Sequence, residues 1–234
     1  MIPPQRELPH SLYRAQDARE LDRIAGDEQG IPGYTLMTRA GTVALHLLRR
    51  NWPRARNVVV VCGIGNNGGD GFVLARLARE SGAQVEVLLL GEAALLRGDA
   101  RRACEAMLKA GVQVSPFSPE RWPDADVVVD AIFGTGLDRE VSGLHREAVA
   151  LINRQHAPVL SLDIPSGLNA DNGNAMGIAV RATRTATFIG LKQGLFTGQG
   201  PDYAGEISFD DLGVSAEIYR RVPAPIKAIT VTCW

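Results

Sequence analysis

Chemistry in this chain concentrates in three polar stretches, each directly after an apolar run: GIGNNGGDG at Gly63–Gly71, DAIFGTGLDREVSG at Asp130–Gly143 and DIPSGLNADNG at Asp163–Gly173. The first offers two adjacent carboxamides, Asn66 and Asn67, then Gly68, Gly69 and the carboxylate of Asp70. The other two each open on an aspartate, Asp130 and Asp163, at the end of an apolar strand. If those strands are neighbours, about 4.8 Å apart, the two carboxylates could lie within roughly 5 Å. Repulsion there is on the order of 3 kcal/mol at an effective dielectric of about 20. Two arrangements relieve it. One carboxyl keeps a proton and works as a general acid or base, or a cation lies between them. Asn67 and Ser166 could add neutral oxygens to such a cation, and few charges with many neutral oxygens suit a monovalent ion better than a divalent one. The plainer alternative is that each aspartate satisfies backbone amides of its own turn.

Gly63, Gly65 and Gly68 also satisfy G-x-G-x-x-G, and Glu92 stands near the end of the next apolar run, where a dinucleotide fold holds a ribose. That pattern points to an NAD(P)-dependent dehydrogenase, but the residues between the glycines argue against it. A pyrophosphate needs small or apolar neighbours so that backbone amides can approach it, and here Asn66 and Asn67 fill that place. Asp70 complements a helix dipole but would repel a phosphate on those amides. No histidine or tyrosine is placed as a hydride-transfer acid. Pro165 restricts Ile164 to extended geometry, which is expected to hold Asp163 rigidly at its strand end, as a catalytic carboxylate requires. Ser166 lies outside any G-x-S-x-G elbow. His10, His46, His145 and His156 are scattered and read as surface or cap residues, zinc-ligand spacing is absent, and Lys192 in GLKQGLF could face the cleft but reads more readily as a solvated lysine.

These residues need a frame that brings them together. From Asn57 onward, short apolar runs at Val58–Val61, Val85–Leu90, Val127–Val129 (leading into Asp130) and Val159–Leu162 read as buried strands. Between them, Val73, Leu74, Leu77 and Ala78 give one helix its inner face, and Ala93–Ala110 and Leu144–Arg154 read as further helices. Thr185–Ile189 and Glu206–Phe209 read as later, less buried strands. This alternation predicts an α/β fold with a mostly parallel sheet and helices on both faces. Strand carboxyl ends then share one edge, where the three polar loops are expected to meet. Upstream, Ser11 is expected to cap a helix running to about Gln29, and a second helix is expected from about Thr35 to Arg50, ended by Pro53. Both read as an extension packed on the same domain. The expected organisation is an extended or disordered stretch over residues 1–10 and a single domain over residues 11–234.

The 234 residues are 45% hydrophobic and 22% charged, the balance of a soluble globular protein. Lys+Arg total 25 against Asp+Glu 26, so the basic footprint of a nucleic-acid binder is missing. Arg49, Arg50, Arg54 and Arg56, the densest basic group, read as a solvated helix end and loop. The stretch MIPPQRELPHSLYRAQ has no apolar segment of the signal-peptide kind, and no apolar run is long enough to span a bilayer. Cys62, Cys104 and Cys233 form no C-x-x-C, as expected of a reducing compartment. The expected setting is cytoplasmic.

GNNGGDGFVLAR, VVDAIFGTGL, LDIPSGLNADNG, GLKQGL and GEISFDDLGV follow one another in an order that resembles the YjeF N-terminal domain family, and ELDRIAGDEQGIPGYTLMTRAG resembles that family's N-terminal helices. The resemblance runs from about Tyr13 to Gly213; one departure is Thr38, where the family usually carries Glu. It implies a Rossmann-like three-layer α/β/α sandwich, a homodimer and NAD(P)H-hydrate epimerase activity. It further implies that Asn66, Asn67, Gly68, Gly69 and Asp70 contact the hydrated nicotinamide nucleotide. Gly134, Thr135, Gly136, Leu137, Asp138, Arg139 and Glu140 match a second substrate-binding loop. Asp163 matches a substrate-contacting, catalytic aspartate, and Asn67, Asp130 and Ser166 match potassium ligands.

NADH or NADPH that has taken up water carries a hydroxyl at C6, beside the ring nitrogen, in R and S forms (NADHX and NADPHX). The family's reaction interconverts them, so that an ATP- or ADP-dependent dehydratase acting on the S form restores the cofactor. Asp163 is expected to serve as general acid/base at that hydroxyl, with the nitrogen lone pair opening the carbon–oxygen or ring bond and reclosure from the other face. Two readings compete: the dehydrogenase, which would bind NAD(H) tightly, and a non-catalytic binding or scaffolding module. The intact loops and both aspartates argue against a degenerate site. The preference between NADHX and NADPHX is left open, as is whether the chain stands alone or forms the front of a bifunctional enzyme.

Overall fold

A computed structural model describes residues 8–9 and 11–228. It opens with β1 (Ser11–Tyr13), α1 (Ala15–Asp27) and α2 (Gly33–Asn51). Alternation follows through β2 (Asn57–Cys62), α3 (Asn66–Glu80), β3 (Gln84–Leu89), α4 (Gly98–Lys109), β4 (Gln113–Pro116), β5 (Val127–Ala131), α5 (Gly143–Arg154), β6 (Val159–Leu162) and β7 (Arg184–Phe188). The described chain closes with β8 (Leu191–Lys192), α6 (Gly200–Ala204), β9 (Glu206–Asp210), α7 (Glu217–Arg221) and β10 (Ile226–Lys227). The expected disordered stretch over residues 1–10 lies, apart from Leu8 and Pro9, outside the described residues, as do His10 and Cys233.

Seven strands form one sheet in the order β4-β3-β2-β5-β6-β7-β9, and every pairing in it is parallel. The chain winds outward from β2 to β3 and β4, then returns to the other side of β2 for β5. The winding direction therefore reverses between β2 and β5, which opens a crevice at their carboxyl ends. The valine run of β2 reads without alternation because both sheet faces are covered. Val58, Val60 and Cys62 pack with α2, α3 and α4 on one face, while Val59 and Val61 pack with α5 on the other. This is the expected three-layer α/β/α arrangement. Cys62 and Cys104 are buried free thiols.

Several boundaries differ from expectation for identifiable reasons. Ser11 caps no helix; it begins β1, which pairs antiparallel with β10 and parallel with β8. Leu12 and Tyr13 are adjacent and both buried, which a covered strand permits because its side chains alternate between faces. Helix α1 starts at Ala15, where the Arg14 N–H donates to the Asp17 carboxylate at 3.4 Å and the Ala15 N–H to Asp171 Oδ1 at 2.6 Å. The helix expected over Ala93–Ala110 is broken: a single 3-10 turn covers Ala93–Leu95, Arg97 is extended, and Gly98 opens α4 with φ +50°. Edge strand β4 was too short and polar for its pattern to show. Strand β7 is buried from Thr185 to Phe188 rather than less buried than its predecessors, because β6 and β9 flank it; edge strand β9, like edge strand β4, is partly exposed throughout.

Candidate active site

The three polar loops meet as expected. A cavity of about 580 Å³ opens at the carboxyl ends of β2, β5 and β6, lined by Asn66, Asn67 and Asp70, by Gly134, Thr135, Gly136 and Leu137, and by Asp163. Its size is that of a small-molecule site. Arg19 and Asp22 of α1, Ile189 and Lys192 after β7, and His145 at the start of α5 complete the wall. Not every expected residue reaches it. Asp138, Arg139 and Glu140 are exposed beyond the lining. Gly68 and Gly69 serve close packing: a Cβ on Gly68 would stand 2.0 Å from the Gly63 carbonyl oxygen, and one on Gly69 2.4 Å from Met37 Cε. The G-x-G-x-x-G spacing thus seats α3 on the sheet. Glu92, the acid that would have held a ribose, is exposed and outside the lining.

Asp130 lies within β5 rather than after it and is fully buried. Strand alternation turns its side chain toward the same face as Val128. Ser161 Oγ and the Ser166 N–H donate to Oδ2 at 2.9 Å each, Ser166 Oγ donates to Oδ1 at 2.5 Å, and the Ile132 N–H reaches Oδ1 at 3.3 Å. Burial raises this carboxyl above the usual range, and the serine and backbone donors oppose the rise. Asp130 is therefore a tie between β5, β6 and the loop after β6, behind the cavity wall.

Asp163 is held in a way that Pro165 alone did not predict. The Ile164 N–H donates to the Leu162 carbonyl at 2.8 Å, closing a γ-turn with Asp163 at its centre, φ +66°. An identical device ends the neighbouring strand: the Gly190 N–H donates to the Phe188 carbonyl at 2.6 Å around Ile189, φ +59°. Left-handed backbone costs an L-residue about 1–2 kcal/mol, and strain of this kind gathers at functional sites. The third non-glycine residue with positive φ among the described residues, Leu212, also lines the cavity. The twin turns bring Asp163 Oδ1 into an ion pair with Lys192 Nζ, which also donates to the Phe188 carbonyl at 2.8 Å. Asp163 Oδ2 accepts the Thr135 N–H at 3.3 Å. Lys192, at 3% exposure, is not the solvated lysine of the sequence reading.

The acids that share a field here are Asp163, Asp70 and Asp22. Burial raises Asp70 above the ordinary carboxylate range, with the charges of Asp163 and Asp22 adding and Lys192 opposing. Burial likewise lifts Asp22 to about 6 against the pull of Lys192, with Asp163 adding. Asp22 has open surface, and it is part of the cavity wall, where neighbouring side chains replace much of the bulk water.

Asn67 is 8% exposed, and neither its Oδ1 nor its Nδ2 has a protein partner. An orphaned buried amide costs about 1–3 kcal/mol and points to a group that the protein expects to receive. It lies against Gly134, whose Cβ direction meets Asn67 Cβ at 3.6 Å. Next in sequence, the Phe133 N–H donates to Ser166 Oγ at 2.9 Å, and Ser166 binds Asp130. Asn67 Oδ1 is thus a neutral oxygen with no protein partner, the kind of donor that a monovalent cation takes. Among the described residues, no group of three or more His, Cys, Asp or Glu could hold a metal ion.

Sequence reading missed Asp22 and His145 and put a cleft-facing Lys192 second to a solvated one. Asp22 was visible as a carboxylate four residues after Ala18, on the apolar side of α1. Lys192 sits among glycines and leucines that offer a charge no solvent. His145 stacks on Phe133 with ring centroids 5.0 Å apart; burial lowers its pKa, as does Arg139. His46 and His156 are exposed, as expected. Thr38 turns back on its own helix, donating to the Tyr34 carbonyl at 2.7 Å.

Comparison with known proteins gives a match to the family described as YjeF-related protein N-terminus over residues 33–194. The bifunctional NAD(P)H-hydrate repair enzyme of Coxiella burnetii is 44% identical over 211 residues, covering 90% of this chain and 43% of that protein. Its counterpart in Escherichia coli is 41% identical, covering 89% and 41%. The chain thus spans less than half the length of these bifunctional relatives. It spans 96% of the NAD(P)H-hydrate epimerase of Limosilactobacillus fermentum, to which it is 40% identical over 201 residues. A crystal structure of yeast ynu0 shares the fold with a TM-score of 0.74 at 20% identity, covering 91% of this chain and 93% of that one.

Proposed function

For this chain, which belongs to the family of YjeF-related protein N-termini, we propose epimerisation of the R and S forms of NADHX and NADPHX at C6 of the nicotinamide ring. Asp163 is the general acid/base. In its protonated form it delivers a proton to the C6 hydroxyl as the ring-nitrogen lone pair expels water, and the resulting carboxylate takes a proton back as water adds to the other face. The first turn of α3 has no side-chain cap and offers its backbone N–H groups to the nucleotide, with Gly134 to Glu140 as the second binding loop. Asn67, Asp130 and Ser166 would hold potassium, which would supply a positive charge that offsets nearby carboxylates. A homodimer, a cytoplasmic setting and an ATP- or ADP-dependent NAD(P)H-hydrate dehydratase as functional partner belong to the same reading. The bifunctional names of two relatives support the last. The near-neutral charge balance speaks against nucleic acid, and among the described residues no helix is long and apolar enough to cross a membrane.

The observation that carries the reading is one cavity at the winding reversal that contains both Asp163 and the unpartnered amide of Asn67. The test is turnover of stereochemically resolved R-NADHX by purified protein, with and without potassium. Asp163→Asn is the informative variant, since asparagine tolerates left-handed backbone. It should lower kcat by about 10²- to 10⁴-fold. Wild-type turnover in that variant would remove Asp163 from the mechanism.

A further inference from the structure

We propose that Lys192 is a positioning residue of this site: paired with Asp163, it fixes the direction of the carboxylate that the reaction uses. The inference rests on the epimerase reading and deepens it. Lysine is almost never fully buried unless paired, and here Nζ has two acceptors, Asp163 Oδ1 and the Phe188 carbonyl. Stability does not explain the choice, because an apolar side chain of similar volume would avoid the desolvation of two charges. Geometry does. The ammonium takes one carboxylate oxygen and leaves the other, Oδ2, on the side of the Thr135 N–H and Gly134. A Cβ on Gly134 would come within 3.0 Å of Oδ2, so that face of the carboxylate is kept clear. The orphaned Asn67 amide borders the same place, which marks where a ligand goes.

Two further observations bear on the same residue. Asp22 and Asp70 line the cavity together with Asp163. Without a cation between them, repulsion would swing the Asp163 carboxylate away from its neighbours. The backbone of Lys192 is also fixed from both sides, by the γ-turn at Ile189 before it and by the parallel pairing of Tyr13 with Lys192. Tyr219 Oη donates to the Ile189 carbonyl at 2.8 Å, bracing the turn. A β-branched residue in left-handed backbone persists only where its surroundings over-determine it, and this one delivers the lysine to the aspartate.

The test compares wild type, Lys192→Met and Lys192→Arg in epimerisation of R-NADHX, with thermal midpoints measured alongside. Lys192→Met should lower kcat by about 100-fold while KM changes by less than about threefold, because the group acts on the reacting carboxylate rather than on the bulk of the nucleotide. Lys192→Arg keeps the charge and should recover to within about tenfold of wild type. Added ethylammonium should restore part of the rate to Lys192→Ala, an effect that a purely structural lysine would not show. A folded Lys192→Met protein with kcat within about threefold of wild type overturns the inference. So does a folded Lys192→Arg protein that stays at least about 100-fold below wild type, which decides the case if the methionine variant does not fold. Wild-type protein that leaves R-NADHX unchanged overturns the parent reading instead.

Discussion

Asp130 and Ser161 stand opposite each other in the β5–β6 register, and the Ser161 hydroxyl donates to Asp130 Oδ2 at 2.9 Å. A carboxylate buried among four donors ties the second and third polar loops to one point, so its removal should be felt first in stability.

Asp130→Ala leaves Ser161 and Ser166 donors unpaired in the interior and should destabilise the fold by about 2–4 kcal/mol. Asp130→Asn keeps one acceptor and should cost less than half of that. Chemical denaturation of the two variants checks the ranking; equal losses would mean that the hydrogen bonds do not carry the tie.

Asn67→Ala should behave in the opposite way. It removes an amide that has no protein partner, so the fold should keep its stability or gain up to about 1 kcal/mol without added salt. Wild type should gain stability as potassium replaces a non-binding cation at constant ionic strength, by mass action on the native state. The variant should lose that gain. Thermal melts in potassium and in choline chloride read both effects.

Gly68→Ala and Gly136→Ala separate packing from binding within the glycine-rich loops. The first drives a Cβ to 2.0 Å from the Gly63 carbonyl, whereas the second meets nothing within 4 Å. Gly68→Ala should cost about 1–3 kcal/mol or more of stability, and Gly136→Ala should stay within about 0.5 kcal/mol. Calorimetry on the folded Gly136→Ala variant then reads nucleotide affinity free of any packing defect.

Asp22 gives a pH signature. Its pKa in the fold is raised from 3.8 to about 6, so the native state keeps this proton longer than the unfolded chain does. Between those values, rising pH removes stability that is fully present below the lower one. Asp22→Asn should therefore match wild type below about pH 4, gain on it up to about pH 6 and hold a constant advantage above. Urea midpoints at pH 4, 5 and 7 test the sign; an advantage that grows on acidification would contradict it.

The order of the strands, with its reversal between β2 and β5, was not legible, but the layered architecture was, because β2, β3, β5 and β6 are runs of apolar residues separated by helices of clear period, which implies a parallel sheet. The meeting of the three loops followed from that topology. What sequence could not show depends on contacts between distant segments. Ser11 and Leu12 have the spacing of a helix start, yet β8 and β10 recruit them into a strand. Asp130 and Asp163 are both aspartates after valine or leucine, but register gives one the serines of β6 and its loop, and a γ-turn gives the other a lysine. No local pattern announces left-handed backbone at Ile189, and without it Lys192 reads as one more surface charge.

Strand β1 stands well upstream of the segment that matches the family, residues 33–194, yet it pairs with Leu191 and Lys192 at that segment's far end. The boundaries that similarity draws are therefore not those of the working unit. A piece trimmed to residues 33–194 would retain every polar loop and still lack the ledge on which the lysine rests, along with the two arms of α1 that wall the chamber. Anyone dividing such a chain for fusion or transplantation has to carry the opening ribbon with the rest.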